Sequence, residues 1–146
     1  AALLLMPWYG FEDAGSARMR ATFRRIRERL GAGDGLLYRY RSDDSPGEGA
    51  FGICGFWGAE ALALGAGSAR EAQDTFERLC RFANDVGLFA EEIDPGTGEA
   101  VGNFPQAFTH VGLINAALSL ERRLREEAPV SADEVRELPE AAEVKR

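Results

Sequence analysis

The chain has 146 residues, which is the size of one average domain and enough to bury a substantial core. Its formal net charge of -7 and pI near 4.8 argue against nucleic acid or an anionic membrane surface as the main partner, because both bind clustered Lys and Arg. No stretch approaches the roughly 20 apolar residues that a membrane-spanning helix needs. We therefore expect one globular domain with no nucleic-acid partner and no membrane partner.

An amphipathic helix and then a buried helix are predicted in the first half of the chain. Ser16 is a suitable N-cap for an amphipathic helix over 17–30, which Gly31 would end. The stretch 50–64 differs, because apolar residues cover most of its circumference and Glu60 is its only charged residue. We expect the second helix to be buried on nearly all sides.

The next two helices repeat this alternation. After a short turn at 65–67, Ser68 and Glu71 form a capping-box pattern that opens an amphipathic helix ending at Gly87. Pro105 suits the first position of a last helix, whose apolar residues surround it. Alternating buried and amphipathic helices indicate an all-α fold in two layers, with inner helices covered by outer ones.

Two long links lead from the outer helices to the inner ones, at 31–49 and 87–104, and both are rich in Gly, Asp, Arg and Glu. In antiparallel helical hairpins both links must emerge at the same end of the structure. Long loops gathered at one end of a rigid scaffold commonly carry function. We therefore look for a functional site among the residues of these two links.

The last residues are polar and contain two prolines, and Ser131 with Glu134 would cap one short helix there. We divide the chain into one domain over 1–127 and a polar C-terminal tail over 128–146. The tail is expected to lie at the surface or to be partly disordered.

The first link places Arg39 between two tyrosines, in the sequence Tyr38-Arg39-Tyr40. Fixed donors beside aromatic faces suit sugar hydroxyls as well as carboxylates. The residues alone favour another interpretation, in which Arg39 is a surface cation that pairs with Asp43 or Asp44.

The second link contains the adjacent carboxylates Glu91 and Glu92, before an Asp94-Pro95-Gly96 turn. Like charges held close raise the proton affinity of at least one of them. A carboxylate that takes a proton from water is what hydrolysis by general base catalysis needs. On spacing alone, a solvated pair of surface charges is the commoner interpretation.

Metal and disulfide chemistry are not indicated. Cys54 and Cys80 lie in apolar or amphipathic stretches without CxxC spacing, which favours reduced, buried thiols over a zinc site or a disulfide framework. His110 has no second His or Cys nearby in sequence, so a histidine satisfied within its helix is favoured over a metal ligand. We predict no metal, no cofactor and a cytoplasmic location.

Two runs carry a resemblance to a known family: GDGLLYRYRSDDSPGEGAFGICGFWGAEALAL and GLFAEEIDPGTGEAVGNFPQAFTHVGLINAAL. In this order and at this separation they resemble the C-terminal part of the bacterial glucoamylase-like and trehalase-like glycoside hydrolases of family 15. The likeness extends over about 3–125. It implies a partial (α/α)6 toroid, which is part of a ring of six helical hairpins with the active site where outer helices pass to inner ones.

The resemblance also implies a reaction, namely hydrolysis of an α-glucosidic bond with inversion at the anomeric carbon. It assigns the general base to Glu91 and the adjoining substrate-contacting position to Glu92. It makes Arg39 the arginine that holds the sugar hydroxyls, and we add Tyr38 and Glu48 of the same link to the predicted substrate-binding residues. The expected substrate is an α-glucan oligosaccharide or trehalose.

The chain also departs from the family pattern, because the WE-containing motif that carries the family's general acid has no counterpart in these residues. We therefore expect a C-terminal fragment that is inactive alone, with a missing N-terminal half as its partner and apolar helix faces left exposed. Two alternatives are open. One is a noncatalytic helical module, or a subunit that pairs with a separately encoded first half, and the other is a generic helical scaffold with a chance likeness.

Overall fold

The computed structural model describes residues 1–40 and 47–128. The α-helices are α1 (Ala17–Leu30), α2 (Gly52–Ala61), α3 (Ala69–Cys80) and α4 (Ala107–Glu127). The strands are β1 (Gly31–Gly33), β2 (Leu36–Leu37), β3 (Ala50–Phe51), β4 (Glu92–Ile93) and β5 (Ala100–Val101). A 3-10 turn at Ala2–Leu5 precedes α1, and a π-helical segment at Leu62–Ala66 continues α2. The predicted cap at Ser131 and Glu134 lies outside the described residues.

Helix α1 has the predicted bounds and the predicted cap. The Ser16 hydroxyl accepts a hydrogen bond from the Met19 amide at 3.1 Å, which satisfies one of the free donors at the start of the helix. Met19, Phe23 and Ile26 are buried along one stripe, while the charged residues of the opposite face are exposed. The amphipathic interpretation of this helix is confirmed.

Helix α2 is buried on nearly all sides, as predicted. It starts at Gly52 rather than at residue 50, because Ala50 and Phe51 pair with neighbouring strands as β3. Small residues let other helices approach closely. A Cβ at Gly55 would lie 2.7 Å from a methyl of Leu79 in α3, and one at Gly112 of α4 would lie 3.2 Å from Phe56.

Helix α3 begins with the predicted capping box, in which Ser68 and Glu71 exchange hydrogen bonds with each other's backbone amides. The prediction that it continues to Gly87 is wrong, since the helix ends at Cys80. The Asn84 side chain accepts hydrogen bonds from the amides of Val86 and Leu88 and so holds a turn that competes with the helix. As a result Val86, which falls within the range predicted for this helix, lies in the turn and is 70% exposed.

Helix α4 begins two residues later than predicted. Gln106, not Pro105, marks its start, and the Gln106 side-chain oxygen accepts a hydrogen bond from the Thr109 amide at 3.1 Å. The Gln106 amide donates to the carbonyl of Phe89 at 2.9 Å, so this residue is extended and bonded to the second link. The Thr109 hydroxyl donates a hydrogen bond to the Ala90 carbonyl at 3.0 Å.

A small sheet corrects the all-α prediction. Five short antiparallel strands lie in the order β1-β2-β3-β4-β5, and most of them are two residues long. Such strands are too short to show alternation of apolar and polar residues in the sequence. Strand β3 of the first link pairs with β4 of the second, through Ala50 with Ile93 and Phe51 with Glu92. The two long links therefore meet at one end of the helices.

One face of α4 is left without cover by the described residues. Phe108, Val111, Ile114 and Leu118 recur at helical spacing, and each is more than half exposed. The opposite face, with Gly112, Ala116 and Leu120, is buried. The fold is thus helix-rich, as expected for part of an all-α glycoside hydrolase, whereas the partial (α/α)6 toroid stays a prediction.

Candidate active site

A cleft of about 580 Å³ opens where the two links meet. This volume is within the range of small-molecule sites, which is roughly 300–1,000 Å³. Its walls come from the first link, the start of α2, the second link and the start of α4. The side chains that line it are mostly apolar or aromatic, with three polar groups: Arg39, Tyr40, Phe51, Ile53, Cys54, Trp57, Glu91, Gln106 and Phe108, beside Ala1 and Ala2.

Arg39 is held by aromatic rings and by a carboxylate. Its guanidinium lies 4.2 Å from the ring centre of Phe51 and 4.8 Å from that of Tyr40. A guanidinium nitrogen donates to Oε1 of Glu48, forming an ion pair that is partly exposed to solvent. Stacking and pairing together fix the direction of the remaining N–H donors. The alternative partners, Asp43 and Asp44, lie outside the described residues.

Glu91 lies on the second link, just before β4, and its side chain is half-buried. One carboxylate oxygen, Oε2, accepts hydrogen bonds from the Asn103 backbone amide at 3.1 Å and from the Asn103 side-chain amide at 2.8 Å. The Glu91 backbone amide donates to the Asn103 carbonyl at 2.9 Å, and its carbonyl accepts from the Gly52 amide at 2.9 Å. The residue is therefore fixed through both its main chain and its side chain.

Glu92 has a different partner. Its Oε2 accepts a hydrogen bond from the Gly49 amide at 2.7 Å, which joins the second link to the first. Close approach requires glycine at this position, because a Cβ on Gly49 would lie only 2.8 Å from the Ile93 carbonyl oxygen. The two adjacent carboxylates thus do not share a partner, and Glu92 bonds to the residue next to Glu48, the partner of Arg39.

The predicted site residues fall into two groups. Arg39 and Glu91 line the cleft, whereas Tyr38, Glu48 and Glu92 are not among the residues that line it. Tyr38 donates its backbone amide to the Leu30 carbonyl at 2.8 Å, and its half-buried side chain packs against the core cluster that contains Phe56. Glu48 and Glu92 connect to the cleft through Arg39 and through the paired links.

Two polar residues of the site were not predicted from the sequence, and neither were the apolar and aromatic side chains that line it. Asn103 holds the Glu91 carboxylate, and Gln106 both caps α4 and lines the cleft. A signal was present for Gln106, since a polar side chain before an apolar helix is a candidate cap. No local sequence pattern indicates that Asn103 forms a hydrogen bond with Glu91, because the two residues are twelve positions apart.

His110 is satisfied within the fold, as predicted. Its Nε2 accepts a hydrogen bond from the Phe89 amide at 3.3 Å, and its Nδ1 donates to the Gln106 carbonyl at 2.8 Å. The ring also packs edge-on against Phe89, with centroids 5.7 Å apart. His110 therefore fixes the chain just before Glu91 through both of its ring nitrogens.

Both cysteines are free thiols, and burial raises the pKa of Cys54 to about 11, so this thiol is neutral at the wall of the cleft. Over residues 1–40 and 47–128, no group of three or more His, Cys, Asp and Glu side chains could hold a metal ion. In the same part of the chain, no helix has both the length and the apolar character to span a membrane.

Comparison of the sequence with known protein families shows which class of protein the chain resembles. The family model of the glycosyl hydrolases of family 15 matches residues 66–118, a stretch that contains Glu91, Glu92 and Asn103 but not Arg39 or Glu48. The resemblance predicted from the sequence is thereby confirmed, and the chain is a relative of the family 15 glycoside hydrolases.

Several proteins that are similar in sequence to this chain are trehalases. The chain is 44% identical over 127 residues to the trehalase of Mycolicibacterium smegmatis and equally to that of Mycobacterium tuberculosis, which in each case covers 84% of the chain. It is 41% identical over 123 residues to the trehalase of Thermoplasma acidophilum, covering 83% of the chain. The matches cover 18 to 21% of these relatives, so the chain spans about a fifth of their length. No solved structure matches the chain significantly.

Proposed function

We propose that this chain forms part of an inverting α-glucoside hydrolase and supplies its general base, Glu91. The observation that supports this most directly is that Glu91 and Arg39 line one cleft together with aromatic side chains. A glycoside hydrolase needs a carboxylate to activate water and oriented polar groups to hold the sugar. Aromatic rings beside them suit the apolar faces of a sugar ring.

In the proposed reaction Glu91 accepts a proton from a water molecule as the water oxygen bonds to the anomeric carbon. The bond from that carbon to the leaving oxygen breaks, and a carboxylic acid from another part of the whole protein gives that oxygen its proton. In inverting enzymes the two carboxyl groups stand roughly 6.5–9.5 Å apart, which leaves room for the water. Attack from the face opposite the leaving group converts an α-glucoside into β-glucose.

The proposed substrate is trehalose or an α-glucan oligosaccharide, and the names of the relatives favour trehalose. Arg39 would donate to sugar hydroxyls in the direction fixed by Phe51 and Glu48. Direct substrate contact by Tyr38, Glu48 and Glu92 stays a prediction. The bonds of Glu48 and Glu92 support an additional role, in which they hold the Arg39 link against the Glu91 link.

The partner we propose is the remaining portion of the whole protein, which would provide the general acid and the opposite wall of the cleft. The exposed stripe of Phe108, Val111, Ile114 and Leu118 on α4 supports this, because an apolar face of this kind is usually covered. We assign the family portion to 1–127, leaving 128–146 as a tail. The free cysteines are consistent with the proposed location in the reducing cytoplasm.

A noncatalytic helical module, or a subunit that pairs with a separately encoded first half, is the second candidate. The same exposed stripe on α4 favours it, since the stripe fits any helical partner and requires no chemistry in the cleft. The two candidates differ in what they predict for Glu91, which only the catalytic one needs.

A chimera tests the proposal. In the Mycolicibacterium smegmatis trehalase, the matched segment is replaced by that of this chain, and glucose release from trehalose is measured. We expect hydrolysis, and we expect Glu91→Gln to lower kcat about 10²- to 10⁴-fold, because the amide cannot take the proton from water. Proton NMR of the first product should show one β-glucose and one α-glucose from each trehalose.

Glu99→Gln is the matched control, because Glu99 lies in the same hairpin, is exposed and should leave kcat unchanged. The 146-residue chain alone is expected to show no hydrolysis. A folded chimera that is inactive, or one in which Glu91→Gln behaves like Glu99→Gln, would overturn the catalytic proposal and leave the noncatalytic module. Two α-glucose molecules as first products would refute inversion.

A further inference from the structure

We infer that Asn103 is a positioning residue for the general base and that Gly102 makes the space in which it acts. The inference rests on the proposed function of Glu91. Asn103 contacts Glu91 through three hydrogen bonds: two donors of Asn103 meet Oε2 of the carboxylate at 3.1 and 2.8 Å, and the Asn103 carbonyl accepts from the Glu91 amide at 2.9 Å. No other described residue donates to that carboxylate oxygen.

The hairpin of β4 and β5 determines that Asn103 meets Glu91. Glu92 pairs with Val101 and Ile93 with Ala100, and continuing this register would place Gly102 opposite Glu91. Gly102 instead forms an irregularity with φ +74°, and the Glu91 amide donates to the carbonyl of the following residue, Asn103. The register is fixed at the turn, where Oδ1 of Asp94 accepts from the Gly96 amide at 2.7 Å and the Asp94 amide donates to the Glu99 carbonyl at 2.9 Å. A shift by one residue would remove Asn103 from the carboxylate.

Gly102 provides the space that the Glu91 carboxylate occupies next to Asn103. Its φ of +74° lies in the region that favours glycine, and a Cβ built there would come within 3.0 Å of Oε2 and 3.2 Å of Cβ of Glu91. Any larger residue would strain the backbone and press on the carboxylate. Glycine at this position therefore lets the Asn103 donors reach Glu91.

The chemistry of the pair suits a base. A carboxylate only accepts hydrogen bonds, so the amide nitrogen of Asn103, and not its oxygen, must face Oε2. Two donors on the same oxygen fix the orientation of the Glu91 side chain. Among the described residues none donates to Oε1 of Glu91, and this oxygen is therefore left for the nucleophilic water.

The test is a double-mutant cycle in the trehalase chimera, with kcat and KM measured separately. Asn103→Ala should lower kcat on the order of 10- to 100-fold with KM changed less than about threefold, because it misplaces the base without removing a substrate contact. Asn103→Ser, which retains a side-chain donor, should recover part of that loss. Asn115→Ala, on α4 away from the hairpin, is the matched control and should leave both constants unchanged.

The outcome in the Glu91→Gln background separates a positioning role from a merely structural one. If Asn103 acts through Glu91, Asn103→Ala should lower kcat no further once Glu91 is replaced. An equal fractional loss in both backgrounds, or an unchanged kcat for Asn103→Ala alone, would overturn the inference. If instead Glu91→Gln has no effect, the proposed function fails, which is a distinguishable result.

A second measurement needs no activity. In the NMR spectrum of the 146-residue chain, Glu91→Ala should shift the side-chain amide signals of Asn103 and leave those of Asn115 in place. Gly102→Ala should shift the same Asn103 signals, because its Cβ displaces the carboxylate. Unmoved Asn103 signals in Glu91→Ala would show that the hydrogen bond is not formed in solution and would refute the inference.

Discussion

In the hairpin of β4 and β5, the carboxylate of Glu91 is half-buried at a cleft and receives two amide donors. At the contact of α2 with α4, Glu60 is only 4% exposed, and its carboxylate accepts one hydrogen bond, from the Ser119 hydroxyl at 3.4 Å. Burial raises the pKa of Glu60, and the Ser119 bond offsets this only in part. Of the two, only Glu91 combines a position at a cleft with two oriented donors, and a general base needs both access to water and a fixed orientation.

The largest loss of stability is expected from truncating Phe89, the core residue that holds the chain next to Glu91. Phe89 is buried and packs edge-on against Phe56, with ring centroids 5.4 Å apart, and against His110. Phe89→Ala should lower the free energy of unfolding by about 3–5 kcal/mol, as large-to-small aromatic changes in cores do. Urea denaturation followed by circular dichroism measures it.

Phe104→Ala is the control for that change, because Phe104 lies on the same link but is half exposed. This variant should lower the free energy of unfolding by less than about 0.5 kcal/mol. Equal losses for the two variants would show that the second link is not anchored through Phe89.

A smaller effect is expected from separating the two links. Glu92→Ala removes the acceptor of the Gly49 amide and should lower the free energy of unfolding by about 1.5–3 kcal/mol, which is typical of a hydrogen bond to a charged group. Hydrogen exchange of the Gly49 amide should become faster at the same time. Glu99→Ala, in the same hairpin but exposed, should change neither quantity, and a slow Gly49 amide in Glu92→Ala would contradict the role given to this bond.

The smallest effect concerns Glu60 and carries a pH dependence. Its pKa in the folded protein is raised above the ordinary value of 4.5, so its contribution to stability is greatest below pH 4.5 and is lost as the pH rises through the folded pKa. Glu60→Gln removes this loss and should increase the free energy of unfolding at pH 7 by about 1 kcal/mol.

The gain from Glu60→Gln should shrink towards zero as the pH falls to 4.5, which urea denaturation at several pH values would detect. Glu126→Gln is the control, because Glu126 is an exposed residue of α4, the helix that contains Ser119. This variant should show no such trend. A gain that is constant with pH would mean that ionisation of Glu60 is not its cause.

Local signals predicted the helices well where the deciding contacts are local. Ser16 and Ser68 each bond within their own first turn, and apolar spacing alone separated amphipathic α1 from fully buried α2. The errors occur where a side chain or a distant segment competes with the helix. Asn84 stops α3 early, and the bond from Gln106 to Phe89 delays the start of α4.

The sequence by itself determined the order of the helices, the caps of α1 and α3, the two long links and, through the quoted runs, the family resemblance, because each depends on residues a few positions apart. Only the tertiary structure decided that Arg39 stacks on Phe51, that Glu92 bonds to Gly49 and that Asn103 holds Glu91. The partners in these contacts are 12 to 43 residues apart, and strands of two residues leave no pattern that reveals them. Charge spacing could suggest Glu91 as a base, but its fixed orientation is a property of the folded hairpin.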